Sequence, residues 1–190
     1  PVFTSRRFFH TLAVVRADAG IETPADLKGK RVGVPEYQMT AALWSRAALQ
    51  HVYGVAPQDM EWHMERLPEA SHGGATGFQP PAGVQLHYIP KETSIAQMLL
   101  DGELDAAVPF FGNGPGVLDR SVKLEGESRV RPLFPSTDDE GKHYFDVTGF
   151  YPINHGMVVK REVYEQHPWV VLNLFNAFNR AKALVDAQSH

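Results

Sequence analysis

Strands and helices alternate along the chain, which marks an α/β protein with a mostly parallel sheet flanked by helices. Two stretches carry that inference. In residues 27–55, LKGKRVGVPEYQMTAALWSRAALQHVYGV, a Lys-Gly-Lys turn leads into a short strand at 31–34 that ends at Pro35. Apolar residues then recur at Ala42, Leu43, Ala47 or Ala48, and Val52 before Gly54, the three-and-four spacing of one buried helix face. A second strand–helix–strand pattern follows between residues 84 and 108. In open α/β sheets ligands sit where strands end and helices begin, so the turn Pro35-Glu36-Tyr37-Gln38-Met39-Thr40 is the first place to look for a site.

The other elements follow in order. Residues 1–10 carry Arg6, Arg7 and His10 between aromatics and run into 11–16, TLAVVR, an apolar run read as a buried strand. Ala19-Gly20 turns the chain, and Thr23-Pro24-Ala25-Asp26-Leu27 reads as an N-cap, a proline at the first helical position and one helical turn. Residues 59–63 make another short strand, and 71–83, holding Gly73, Gly74, Gly77, Pro80 and Pro81, a loop. Residues 84–89 read as strand, 94–100 as a short helix closed by Gly102, and 104–108 as strand. FFGNGPG at 110–116 is a strand-end loop, 121–137 is irregular, and 138–145 reads as a helix capped by Asp138. FYPINHGMVVK at 150–160 returns as a strand. Beyond it Pro168 breaks a helical region, and Val171, Leu174, Phe175, Phe178, Ala181 and Val185 form the stripe of a long amphipathic helix. The apolar strands 11–16 and 153–159 bracket everything between them. They are expected to be neighbours in one sheet, a crossing pair through which one lobe is entered and left.

Composition removes several function classes. The chain has 190 residues, enough for one large domain or two small ones with a real core. A net charge of -4 with no basic stripe argues against nucleic acid, and no stretch is long and apolar enough to cross a membrane. The absence of cysteine excludes disulfides and thiolate metal sites. No GxSxG elbow, Walker loop or dinucleotide GxGxxG occurs, and 112–116 is too interrupted by proline for a phosphate loop. The chain begins at Pro1 without an initiating Met or signal peptide and is read as a fragment. A homo-oligomer is left open.

The motifs DLKGKRVGVPEYQMTAALW, MLLDGELDAAV and YPINHGMVVKREVYEQHPWVVLNLFNAF resemble the type II periplasmic-binding-protein fold. More narrowly, SRRFFH, GVPEYQMTAALW and TGFYPINHGMVVKREVYEQHPW resemble the 4,5-dihydroxyphthalate decarboxylase family, enzymes built on that solute-binding scaffold. The resemblance implies one lobe of a two-lobed fold with parts of the other. Residues 1–16 would be a hinge strand and part of the first lobe, 17–149 the second lobe, and 150–190 the return strand and helices packing toward the first. Two departures from the family pattern bear on the substrate: Pro109-Phe110-Phe111-Gly112-Asn113, where the family is more basic and polar, and the Gly/Pro-rich 71–83.

Site candidates come from residue chemistry. Thr40 and the amides of Gln38, Met39 and Thr40 lie at a helix start, where orphan N–H groups and the helix dipole suit a carboxylate; alternatively Thr40 is merely the cap. Arg6 or Arg7 can clamp a carboxylate through parallel guanidinium donors, and on an extended chain only one of the two faces a cleft. Arg46 is expected to face solvent or an acidic neighbour. Tyr37 and Gln38 are candidates for hydroxyl contacts, while Trp44 and Met39 pack. His10 and His155, at the ends of the bracketing strands, suit proton transfer near neutral pH if both open into one cleft. No HxxH or HxH spacing supports a metal, and His51, His63, His87, His143 and His167 are read as surface or capping residues.

The resemblance implies a cytoplasmic decarboxylase of a hydroxylated aromatic dicarboxylate, the hydroxylated ring serving as its own electron sink. Arg6 and the Thr40 turn would anchor the remaining carboxylate, and His155 or His10 would supply the proton. Neither a cofactor nor a lysine imine is required. The rival class is a periplasmic solute-binding protein that captures a small carboxylate and does no chemistry, because fold alone does not settle function.

Overall fold

A computed structural model describes residues 2–69, 71, 77–111, 124 and 126–188. The predicted loop at 112–116 lies outside them, as do parts of 71–83 and 121–137. The chain divides into two units, Phe8–Tyr151 and a smaller one made of Pro1–Arg7 with Pro152–His190.

The larger unit is built on a six-stranded sheet. Its strands are β2 (Val14–Arg16), β3 (Arg31–Val34), β4 (Glu61–Met64), β5 (Gln85–Tyr88), β6 (Ala106–Ala107) and β7 (Val130–Pro132). They lie in the order β5-β4-β3-β6-β2-β7. β3 runs parallel to β4 and β6, and β4 parallel to β5, whereas β2 is antiparallel to β6 and β7. The mixed, mostly parallel α/β sheet is the predicted class.

Alternation along these strands builds two cores. Val32, Val34, Trp62, Met64, Ala106 and Val108 point to one face and meet Ala42 and Leu49 of helix α1 (Thr40–Tyr53). Ala107 and Val14 point to the other, where Ile95 and Leu99 of α2 (Ile95–Asp101) pack with Leu104 and Phe110. Gly33 faces α2, and a Cβ there would meet Ile95 Cγ2 at 2.9 Å. Strands covered on both faces read as continuous apolar runs, as RVGV does.

Local signals explain most boundaries. Thr23 starts a 3₁₀ turn at Pro24–Leu27, and its amide bonds Asp26 Oδ2 at 2.8 Å. Gly54 and Gly102 end α1 and α2 in the left-handed conformation (φ 66° and 79°) that glycine adopts without Cβ strain. Ser94 caps α2 by accepting from the Gln97 amide at 3.1 Å. Helix α3 (Thr137–Thr148) is capped by Ser136, whose Oγ accepts from the Asp139 amide; Asp138, the expected cap, lies within its first turn, where its charge suits the dipole.

The smaller unit pairs β1 (Val2–Arg6) antiparallel with β8 (Ile153–Met157), placing Ser5 opposite His155. Helices α4 (Arg161–Gln166) and α5 (Trp169–Gln188) follow, separated at Pro168 as expected. No residue of α5 is buried; Trp169, Leu172 and Leu184 are 61, 62 and 67 % exposed. An open apolar groove of about 1100 Å³ runs past Val2, Met157, Val159, Tyr164, Val171 and Phe175. Among the described residues no helix is long and apolar enough to cross a membrane.

The expected pairing of 11–16 with 153–159 does not occur. Residues 9–12 form a 3₁₀ turn in which Thr11 Oγ1 donates to Phe8 O at 2.7 Å, and only 14–16 continue as strand, in the six-stranded sheet. The partner of β8 is β1. A threonine that closes a turn onto the backbone three residues earlier competes with extended structure, and here it wins.

Candidate functional site

The parallel strands of the larger unit end together at one sheet edge. β3 runs into Pro35-Glu36-Tyr37 and α1, β4 into Glu65-Arg66, and β6 into Val108-Pro109-Phe110. Because β2 is antiparallel, its start lies at the same edge, and Phe110 N donates to Leu12 O at 3.0 Å. This is the edge at which doubly wound sheets bind ligands.

Helix α1 begins here without a side-chain cap. Met39 is the N-cap residue, Thr40 the first helical residue and exposed, and the first turn holds no acid. Uncapped first-turn amides with the positive end of the dipole suit an anion. Gln38 is half-buried, and Met39 packs against the core, as expected of it. Tyr37 departs from expectation: only 3 % exposed, it stands edge-on to Trp62 at 5.5 Å and beside Phe78. Burial raises its phenol pKa, partly offset by Arg46. A ring so enclosed is core, not a surface hydrogen-bonding group.

Arg46 corrects a second expectation. It does not face solvent but is 8 % exposed, with its guanidinium carbon 3.7 Å above the Tyr37 ring centroid. Nη1 donates to Tyr37 O at 2.6 Å. A helical side chain leans toward the N-terminus, so Arg46 reaches back under the β3–α1 turn. On this face Ser45 and Arg46 take the place expected for Leu43, which is 58 % exposed. Nearby, buried Glu36 accepts from Ser71 Oγ at 2.9 Å and lies 3.5 Å from Arg66 Nη1.

His10 stands at the same edge but is sealed, at 1 % exposed. Its Nε2 is 2.8 Å from Glu140 Oε1, the oxygen that also accepts from the Tyr53 hydroxyl. With a carboxylate as partner, Nε2 carries the proton. Burial, then Glu140, raises the Tyr53 hydroxyl far above its ordinary pKa. The ring lies 4.9 Å from Tyr144 and edge-on to Phe134 at 5.7 Å. Its expected opening onto a cleft therefore fails; the imidazole ties the 9–12 turn to α3 and α1.

His155 belongs to the smaller unit and is exposed on β8, its Nδ1 2.8 Å from Ser5 Oγ, with the Asn154 amide nitrogen 3.0 Å from each ring nitrogen. Arg6 and Arg7 are exposed, and neither makes an ion pair among the described residues. The two histidines thus differ sharply in access. Glu61, His63 and His87 form a further group, with His63 Nε2 3.1 Å and His87 Nε2 3.5 Å from Glu61 Oε1. His63 was expected at the surface but is half-buried, and burial lowers its pKa. Among the described residues no trio of His, Asp or Glu is arranged to hold a metal ion.

The family model described as NMT1/THI5 like matches residues 7–65. A protein of Comamonas testosteroni named 4,5-dihydroxyphthalate decarboxylase is 38% identical over 184 residues, 97% of this chain and 54% of the relative. One of Pseudomonas putida with the same name is 43% identical over 108 residues, 57% of this chain and 42% of the relative. The chain spans about half the length of the curated relatives it matches. Among solved structures it is similar to the periplasmic aliphatic sulphonate binding protein SsuA of Escherichia coli. There the TM-score is 0.46 at 18% identity, over 93% of this chain and 45% of that one.

Proposed function

We propose that this chain is part of a carboxy-lyase acting on a hydroxylated aromatic dicarboxylate of the 4,5-dihydroxyphthalate kind. The likeness to the Comamonas testosteroni decarboxylase, which runs through nearly the whole chain, carries the reading. The chemistry is within reach of ordinary side chains. A hydroxyl para to the leaving carboxylate pushes electron density onto the carbon that bears it. That carbon takes a proton from a general acid; the carbon–carboxylate bond then breaks, its electron pair restores the aromatic ring, and carbon dioxide leaves. The protein must anchor the other carboxylate, polarise the hydroxyl and supply one proton.

Accessibility favours His155 over His10 as that acid. A proton donor must touch the ring it protonates, and His155 is exposed whereas His10 is sealed with Nε2 committed to Glu140. Within the smaller unit exposed Arg6 and Arg7 suit a carboxylate, and within the larger unit the uncapped start of α1 does so separately. The enzyme reading goes with a cytoplasmic location.

The test is incubation of the purified full-length protein with 4,5-dihydroxyphthalate, following carbon dioxide and 3,4-dihydroxybenzoate. Equimolar release of both is expected. Saturable binding of the diacid with no carbon dioxide released would overturn the enzyme reading and leave a periplasmic solute-binding protein.

A further inference from the structure

A guanidinium that is nine-tenths buried normally faces a carboxylate, because burying an uncompensated charge is costly. Arg46 has none. The only hydrogen bond described for it runs from Nη1 to Tyr37 O, and its guanidinium carbon lies over the rings of Tyr37 and Trp62, 3.7 and 5.9 Å from their centroids. Every other arginine in the larger unit that contacts a carboxylate does so visibly: Arg16 with Asp18, Arg31 with Asp105, Arg66 with Glu36, Arg129 with Glu127 and Arg131 with Glu22. Glu36, on the same turn as Tyr37, is occupied by Ser71 and Arg66. Burial pulls the Arg46 guanidinium below its ordinary pKa, and Tyr37 alone opposes that shift.

Position gives the unpaired charge a meaning. Arg46 reaches beneath the turn at the strand-end edge, and that turn opens into the uncapped first turn of α1. The Tyr37 ring lies 3.7 Å from the guanidinium carbon, and the bond to Tyr37 O engages one of its two terminal nitrogens. A planar fork held this way retains donors for one more acceptor.

We infer that Arg46 is a carboxylate-recognition residue of the strand-end site, pairing with an aromatic carboxylate that also lies at the start of α1. This deepens the decarboxylase reading and rests on it for the ligand class. Stacking on Tyr37 and Trp62 keeps the charge in place while the site is empty, as cation–π contact does for desolvated arginines. A ligand carboxylate then supplies the counter-charge that the described residues do not.

The experiment uses the full-length protein and phthalate, which carries both carboxylates but no hydroxyl to activate it. In the wild type the Arg46 side-chain Nε–H resonance, assigned by its loss in Arg46→Met, should shift on titration with phthalate. Calorimetric affinity for phthalate should fall about 10–100-fold in Arg46→Met, the worth of a charge-assisted hydrogen bond. Arg46→Lys should recover part of it. An Nε–H signal that stays still at saturating phthalate overturns the inference, even if Arg46→Met fails to fold. So does phthalate binding that stays within about twofold in a folded Arg46→Met protein, or a wild type that does not bind phthalate. The two proposals fail separately. Arg46-dependent binding without carbon dioxide release from the hydroxylated diacid removes the enzyme and keeps this site. Decarboxylation with Arg46 silent does the reverse.

Discussion

Replacing His10 separates a structural histidine from a proton donor. In His10→Ala the Glu140 carboxylate loses the donor at 2.8 Å, in a place where the two side chains are 2 and 10 % exposed. A hydrogen bond to a charged group contributes ~1.5–3 kcal/mol. The ring contacts with Tyr144 and Phe134 add about 0.5–1.5 kcal/mol each. The expected loss is about 3–5 kcal/mol, large beside the ~5–15 kcal/mol stability of a typical domain. His10→Gln keeps an N–H near the position of Nε2 and should recover half or more of it. Urea unfolding at neutral pH is followed by tryptophan fluorescence in a Trp169→Phe background, so that Trp44 and Trp62 report on the larger unit alone. The reasoning fails if His10→Ala costs under about 1 kcal/mol, the size of one ordinary hydrogen bond. It fails equally if a stably folded His10→Gln loses turnover about 100-fold, the scale of a missing general acid.

Three further outcomes are expected. His155→Ala should lower turnover by ~10²–10⁴-fold while changing the Michaelis constant little, as removal of a general acid does; steady-state kinetics on 4,5-dihydroxyphthalate decide it, and a change of only a few-fold would count against this role. Gly33→Ala should destabilise by about 1–3 kcal/mol in urea unfolding, because its Cβ would press on Ile95 Cγ2 at 2.9 Å and Leu104 Cδ1 at 3.0 Å, both fully buried. Burial pushes the Asp105 carboxyl up, but hydrogen bonds from the Arg31 side chain and amide outweigh it and hold the pKa below its ordinary value. That contribution is complete above about pH 4 and is lost as pH falls through the lowered folded-state pKa. Asp105→Asn should therefore flatten the acid limb of the stability profile.

Long-period signals were legible in the sequence. The β3–α1 unit, the Thr23-Pro24 turn, the Gly54 and Gly102 stops and the Pro168 break all show their causes in local chemistry. Arg46 shows where such reading stops. Ala42, Arg46 and Leu49 are spaced at four and three, so the helical period already put Arg46 on the buried face. Its charge argued the other way, and nothing local announces that Tyr37 will stack on it. The β1–β8 pairing was hidden for a different reason. VFTSR belongs to a two-stranded ribbon that is mostly open, so it carries neither an apolar run nor alternation. His10 was misjudged because its partners, Tyr53 and Glu140, are brought to it only by the tertiary fold.

The β1–β8 ladder joins residues 150 positions apart, Ser5 with His155, across the whole of the larger unit. During synthesis β1 leaves the ribosome first and waits for a partner not yet made, while residues 8–151 follow it out and have their own sheet and cores to condense upon before β8 appears. The entropy of closing so long a loop grows only logarithmically with its length. Most of it is already spent once the larger unit is folded, because its two ends, Phe8 and Tyr151, stack at 4.7 Å. The finished insert thus hands β8 to β1. Where the larger unit fails to fold, β8 must find β1 through an open loop, so the ladder that sets His155 opposite Ser5 should form less readily.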